Sequence, residues 1–252
     1  MAEQNPFLAP GGSTEQSGGF DPAGRSVEAG SGMEWLKQGW RAFVKNPGIW
    51  IAITVIMMVI FIVLHFIPIV GQLAAHFLVP VFSAGVLLGC KSLAEGGELR
   101  IDHLFAGFKQ NTGNLIMVGV FYLIGVVVIM AIGFMIGGGA ALSGVMMGRG
   151  PGVGMAIGGF LLAVLVVLAL MVPLAMAVWF APALVVFRNV APLEAMKASF
   201  SASLKNIVPF LVYGVLLFVL GVIAMIPVGL GFLVLMPVMF GSVYASYVEI
   251  FE

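Results

Sequence analysis

The sequence carries very little charge for its length. Of its 252 residues, 9% are charged and 61% are apolar, whereas a soluble domain usually carries about 25% charged residues. The 11 basic and 11 acidic residues cancel, so the basic excess that nucleic-acid binding requires is missing and no nucleic-acid partner is expected. One cysteine, Cys90, excludes an intrachain disulfide and a cysteine-based zinc site. These shortages indicate an integral membrane protein.

Long uncharged stretches are what the sequence has instead, at 46–90, 110–148, 150–187 and 206–248. One membrane crossing takes about 20 helical residues. The first and last stretches therefore have room for two crossings, and each contains a Pro and Gly turn at its middle. Pro173 and Pro182 are expected to kink the fourth helix without ending it, and 137–154 is predicted to be a glycine-rich loop. The predicted helices lie near 48–67, 72–91, 113–136, 156–187, 207–226 and 230–248.

The distribution of basic residues predicts the orientation. With six spans, both termini lie on one side together with ten basic residues, and the other side has only Arg149. The positive-inside rule then places both termini in the cytoplasm, with the chain in the bacterial inner membrane. Residues 1–32 are rich in Gly, Ser, Pro, Glu and Gln, so a disordered cytoplasmic tail is predicted ahead of a polytopic domain at 33–252.

A threefold internal repeat is predicted, with units at about 33–91, 101–187 and 192–248. A short amphipathic segment precedes each odd-numbered span and suits a helix in the cytoplasmic headgroup layer. The predicted fold class is thus an all-α integral membrane protein with six transmembrane helices as three hairpins, each preceded by a cytoplasmic interfacial amphipathic helix. The residues predicted to lie at the membrane interface are Trp35, Lys37, Trp40, Arg41, Lys45, Phe105, Phe108, Lys197 and Lys205.

Chemistry-bearing residues are scarce within the predicted spans. Apart from Lys91, the last residue of the second, none contains Asp, Glu, Lys or Arg, which argues against proton-coupled transport and intramembrane hydrolysis. No catalytic residue, metal or cofactor is expected. The best polar candidates are His65, Gln72 and His76 around the first hairpin. A metal shared by the two histidines lacks a third ligand, so hydrogen bonding within the hairpin is the favoured interpretation. Cys90 next to Lys91 allows acylation, but a buried inert thiol is favoured.

Several motifs resemble a known family. They lie at 38–47 (QGWRAFVKNP), 89–96 (GCKSLAEG), 103–108 (HLFAGF), 180–184 (FAPAL) and 198–206 (ASFSASLKN). Together they resemble an uncharacterised family of bacterial polytopic inner-membrane proteins, which in turn resembles the membrane domain found beside some glycerophosphodiester phosphodiesterases. The resemblance covers about residues 33–248. It implies an all-helical inner-membrane protein but supplies no catalytic residues, and the soluble phosphodiesterase barrel is absent from this chain.

These observations predict a non-enzymatic inner-membrane protein that organises or accompanies membrane processes through its cytoplasmic face. The alternative is a transporter or channel for a lipidic or neutral solute, since repeats and Pro-broken spans occur in many transporters. An intramembrane lipid enzyme is disfavoured because no acid, base or nucleophile set can be assembled. The expected partners are membrane lipids, and a homo-oligomer or a membrane-protein partner stays open.

Overall fold

The computed structural model describes residues 5–7, 19–147 and 151–252. These residues form nine α-helices and one 3-10 helix, with no strand among them. The α-helices are α1 (Ser31–Lys45), α2 (Pro47–His65), α3 (Val70–Ala94), α4 (Thr112–Met147), α5 (Pro151–Trp179), α6 (Ala181–Arg188), α7 (Pro192–Lys205), α8 (Ile207–Met225) and α9 (Phe232–Phe251). The 3-10 helix is Ile101–Phe108. The prediction of an all-helical fold is confirmed.

Six helices of the described chain are long and apolar enough to cross a membrane. They are α2, α3, α4, α5 continued by α6, α8 and α9. A shorter and more polar helix precedes each pair along the chain: α1 before α2 and α3, the 3-10 helix before α4 and α5, and α7 before α8 and α9. The six spans confirm the predicted number of crossings. The location of the three short helices in the headgroup layer stays a prediction.

The first and third hairpins turn in the same way. In each, the residue after the turn proline has a positive φ: Ile69 (62°) follows Pro68, and Val228 (54°) follows Pro227. A β-branched residue rarely adopts this left-handed conformation, because its Cβ crowds the neighbouring carbonyl. Both turns therefore hold a strained residue at the same position, in agreement with the sequence similarity of these two units.

The predicted glycine-rich loop at 137–154 is wrong for most of its length. α4 continues to Met147 and α5 begins at Pro151, while the connecting residues 148–150, including Arg149, lie outside the described residues. Gly144 and Gly152 face each other so closely that a Cβ on either would overlap the other's carbonyl oxygen. In lipid the backbone has no water to bond to, so a helical conformation is favoured even where glycine has a low helix propensity. The two glycines also let the backbones of α4 and α5 pack in direct contact.

The fourth span is broken near the end that leads into α7. It was predicted as one helix over 156–187, but α5 ends at Trp179 and α6 begins at Ala181. Pro182 lies in the first turn of α6, where its missing N–H costs little, so it starts a helix and does not kink one. Pro173 lies inside α5 as expected.

A serine from α7 fills this break. In an unbroken helix the Phe180 N–H would donate to the Met176 carbonyl. Instead the Phe180 N–H donates to Ser199 Oγ at 2.9 Å, and Ser199 Oγ donates to the Met176 carbonyl at 2.6 Å. Ser199 is fully buried. Its hydroxyl therefore satisfies both backbone groups that the break exposes, and it ties α7 to the fourth span.

The segment before α1 is bound to the end of α9. Asp21 N–H donates to the Phe251 carbonyl at 2.9 Å, and Arg25 N–H donates to the Ile250 carbonyl at 2.8 Å. The last carbonyls of a helix have no partner within it, so this segment caps α9. Asn206, which is buried, holds the segment from α7 by donating from Nδ2 to the Arg25 carbonyl at 2.8 Å.

These contacts correct the disorder predicted for residues 1–32 where the chain is described. Composition predicts disorder because few apolar groups are available for burial. It takes no account of the backbone hydrogen bonds that α9 and Asn206 provide. The boundaries of the three predicted units stay predictions.

The largest fully buried side chains gather at the end of the bundle that carries α1, the 3-10 helix, α6, α7 and the last turns of α9, which we call the terminal end. They are Trp35, Trp50, Ile53, Leu87, Leu99, Leu104, Leu115, Phe180, Leu184, Tyr247, Ile250 and Phe251. At the opposite, hairpin end, large apolar side chains such as Phe66, Phe134 and Val228 are exposed, as suits contact with lipid. The packed core therefore lies at one end of the spans.

Candidate functional site

Most residues predicted to lie at the membrane interface are at the surface of the terminal end. Trp40, Phe105 and Phe108 are 51%, 40% and 41% exposed. Phe105 and Phe108 both pack edge-on against Phe82 of α3, with ring centroids 6.0 and 5.3 Å away. This contact leaves an aromatic surface that suits an interface. Their location at the headgroup level stays a prediction.

The prediction that Trp35 lies at the membrane interface is wrong, because its side chain is fully buried and cannot contact lipid. Its indole packs against Phe210 and Tyr213 of α8, and its Nε1–H donates to the Glu249 carboxylate of α9. Ser31 Oγ donates to the same carboxylate at 2.7 Å. Trp35 therefore anchors α1 to α8 and α9 and is a core residue of the terminal end.

The predicted basic residues have polar partners in the structure. Lys37 Nζ lies 3.4 Å from Glu34, and Arg41 Nη2 lies 2.7 Å from it. On α7, Lys197 pairs with Glu194 at 2.9 Å. Such exposed pairs contribute about 0–1 kcal/mol each to stability, so their main effect is on the charge that the surface presents.

Lys45 ends α1, which precedes the first hairpin, and Lys205 ends α7, which precedes the third. A cation in the last turn interacts favourably with the helix dipole. Lys205 Nζ also donates to the carbonyls of Ala23 and Gly24 at 2.9 and 3.1 Å. Lys205 therefore helps to hold the segment that caps α9, in addition to the interface role predicted for it.

The predicted polar site at the first hairpin is only partly assembled. His76 Nδ1 lies 2.7 Å from the Gln72 carbonyl, one turn earlier in α3, and its ring stacks on Tyr122 of α4 with centroids 5.9 Å apart. His65 is exposed at the end of α2. Among the described residues, no group of three His, Cys, Asp or Glu side chains could hold a metal. The contact of His76 with the Gln72 carbonyl lies within the hairpin, and the ring contact with Tyr122 is a further partner that the sequence analysis did not name.

A cavity of about 410 Å³ lies next to His76, between α3, α4 and α5. Tyr122 and Trp179 line it with His76, and Pro80 forms part of its wall. Pro80 has no backbone N–H, so the carbonyl of His76, four residues earlier in the helix, has no donor within α3. This oxygen lies close to Gly119, where a Cβ would overlap it. The cavity is mostly apolar, and it brings the polar groups of His76 and Tyr122 together inside the spans.

A larger groove lies between α8 and α9. Its volume is about 1060 Å³, and its walls are mostly aliphatic, with Val219 and Leu220 on α8 and Val234 on α9. At the hairpin end the helices meet, since a Cβ on Gly231 would overlap Ala224. At the other end α1 forms the mouth and adds the side chains of Glu34, Lys37, Trp40 and Arg41. The groove is therefore an apolar trough with one charged end.

Comparison with known proteins agrees with this architecture. The chain is 28% identical over 230 residues to a protein of Burkholderia thailandensis described as a probable inner membrane protein, covering 88% of this chain and 83% of that protein. No family model matches the chain, and no solved structure matches it. The chain is a multi-pass membrane protein. The similarity supports the inner membrane as its location.

Sequence reasoning missed several polar residues that pair with distant parts of the chain. Buried Ser199 and Asn206, half-buried Tyr122 and exposed Glu249 bind or stack on partners outside their own helix, and these pairings depend on tertiary contacts. One signal was available for Ser199 and Asn206. Ser199 lies on the face of α7 that also carries Ala195, Met196 and Ala202, and Asn206 follows the helix seven residues later; all of them are buried. A helical projection extended by one residue beyond α7 would have marked this face as buried and hydrogen-bonded.

Proposed function

We propose that this protein is a non-enzymatic inner-membrane protein that organises or accompanies membrane processes through its terminal end, which we place in the cytoplasm. The observation that carries the proposal is the concentration of fixed polar structure at that end. All ion pairs of the described residues lie there. A face with an ordered charge pattern on a packed core can recognise a partner without reorganising.

Site-specific photo-cross-linking in membranes tests this proposal with a matched pair of positions. Gln110 is exposed beside the 3-10 helix, and Gln72 is exposed at the first hairpin turn. Replacing each in turn with a photoreactive phenylalanine should give discrete polypeptide adducts from Gln110 and none from Gln72. Adducts from Gln72 alone, or none from either position, would count against a role for the terminal end.

A transporter or channel for a lipidic or neutral solute is the second candidate. Two features favour it: the groove between α8 and α9, and the cavity at His76 inside the spans. Proteoliposomes of the full chain test it by glycerol entry and by exchange of labelled lipid between leaflets. Rates equal to those of protein-free liposomes for both probes would contradict transport.

We also infer kinship with the membrane domains found beside some glycerophosphodiester phosphodiesterases. The motifs at 38–47 and 198–206 support it, as does the succession of one short helix and one hairpin in each third of the chain. An experimental structure of such a membrane domain provides the test. A helix order different from this succession would contradict the kinship.

A further inference from the structure

We propose that the groove between α8 and α9 binds one anionic glycerophospholipid, with an acyl chain along the aliphatic walls and the phosphate at Lys37 and Arg41. This site goes beyond the organising role proposed above and holds independently of it. The supporting observations are the length of the groove, its volume and the charge at its mouth.

The length of the groove matches one leaflet of a bilayer. Its α8 wall runs from Leu216 to Ala224, which is about 12 Å along a helix axis. Half of a hydrocarbon core of about 30 Å is about 15 Å. The contact between Ala224 and Gly231 closes the far end. Because this wall lies in the hairpin half of α8 (Ile207–Met225), an acyl chain that enters beside α1 reaches past the middle of the span before it meets protein.

The volume of about 1060 Å³ is at the top of the range for small-molecule sites, about 300–1,000 Å³. Lipid-facing surfaces of membrane helices are usually shallow, and passing lipids cover them without a defined site. Here Val219 and Leu220 on α8, Val234 on α9 and Leu36 on α1 enclose the trough from three helices. An acyl chain gains contacts on several sides, which distinguishes it from bulk lipid.

The mouth selects an anion. Among the lining residues, Lys37 and Arg41 carry two positive charges and Glu34 between them carries one negative charge, so these three side chains sum to +1. The Lys37 side chain is 61% exposed and an ammonium has three donors. A guanidinium next to an ammonium is a pairing suited to phosphate oxygens. A phosphate with a neutral headgroup, such as glycerol, therefore complements the mouth better than a zwitterionic choline headgroup.

A second copy of the chain is a poorer occupant. In a twofold dimer the same surface meets itself, so Lys37 and Arg41 of one copy would approach the same cations of the other. Like charges at a low-dielectric interface repel each other. The charge pattern thus favours lipid over self-association at this groove.

Lipid binding by the delipidated full chain tests the headgroup contact. The probes are phosphatidylglycerol and phosphatidylcholine with identical acyl chains, and native mass spectrometry counts the lipids bound. We expect a preference for phosphatidylglycerol that falls about fivefold for each positive charge removed in Lys37→Gln and Arg41→Gln. Glu34→Gln should raise the preference by a similar factor.

The control for charge is the double variant Arg100→Gln and Lys109→Gln, which removes two exposed cations outside the groove and outside the predicted interface residues. It should leave the preference unchanged. A wild-type chain that binds both lipids equally would overturn the proposal, as would a preference that falls equally in the control and in the groove variant.

A matched pair of tryptophans tests the acyl chain. Val219 lines the groove and is 49% exposed, while Val222, three residues further along α8, is 51% exposed and does not line the groove. Val219→Trp should reduce binding of both lipids at least about fivefold, and Val222→Trp should not. Equal binding by the two variants would overturn the acyl-chain assignment. A photo-cross-linker at Leu220 that captures a polypeptide in native membranes would overturn it as well.

Discussion

The hydroxyl of Ser199 offers a sharp test of how the terminal end is held together. Ser199→Ala removes the group that accepts from the Phe180 N–H and donates to the Met176 carbonyl. Both backbone groups belong to the break between α5 and α6. The variant changes no charge and only one oxygen atom, so its effect reports on these two hydrogen bonds.

The expected cost follows from which groups stay unpaired. Hydrogen bonds between helices in membranes average about 0.6 kcal/mol each, so two give about 1 kcal/mol as a lower figure. Ser203 Oγ is already 3.5 Å from the Met176 carbonyl and can take over that acceptor. The Phe180 N–H then stays without a partner, which costs about 1–3 kcal/mol. We expect Ser199→Ala to lower the free energy of unfolding by about 2 kcal/mol.

Steric trapping in bicelles measures that free energy for the full chain. Ser201→Ala is the control, because Ser201 is exposed on the same helix and its variant should change the value by less than about 0.5 kcal/mol. Ser199→Thr keeps a hydroxyl and should recover part of the loss. If Ser199→Ala were no less stable than Ser201→Ala, the serine would not be satisfying the broken backbone, and our explanation of the break would be wrong.

Three further predictions concern other parts of the chain. A reporter active only in the periplasm should be silent when fused after Glu252 and active when inserted at Arg149, and the reverse pattern would refute the predicted orientation. Asn206→Ala should speed protease cleavage of the segment that caps α9, measured by limited proteolysis with the wild type alongside, because the Arg25 carbonyl loses its donor. Replacing His65 and His76 with Phe should leave membrane accumulation and the cellular phenotype nearly unchanged, and a well-inserted variant with the full deletion phenotype would place a functional site at the first hairpin.

The spans could be predicted from the sequence because the bilayer imposes a simple rule on them. A helix must be about 20 residues long and uncharged to cross, and the two Pro-containing turns divide the long stretches correctly. The same rule did not predict the structure of residues 137–154, because length and charge do not show whether glycines end a helix or let two helices pack closely. That depends on whether a facing glycine exists, as Gly152 does for Gly144.

The candidate site was harder to predict because its residues are paired between distant parts of the chain. Trp35 reads as an interface anchor from sequence, and only the position of Glu249 shows why it is buried. His76 stands out in the sequence as a polar residue in an apolar span, but its ring partner Tyr122 lies on another helix with no sequence signal. The groove likewise depends on how α1 packs against α8 and α9, which amphipathic periodicity does not reveal.

The cap on α9 sets an order of assembly. Residues 21–25 leave the ribosome before any span, yet their backbone partners, Ile250 and Phe251, are made more than 200 residues later. Until α9 has been inserted, this early segment lacks the carbonyls that it caps, and Lys205 and Asn206 are the partners available to it. The first two hairpins can enter the membrane during synthesis, but the terminal end closes only when α9 arrives. Any partner that binds the closed terminal end therefore meets only chains in which α9 is in place.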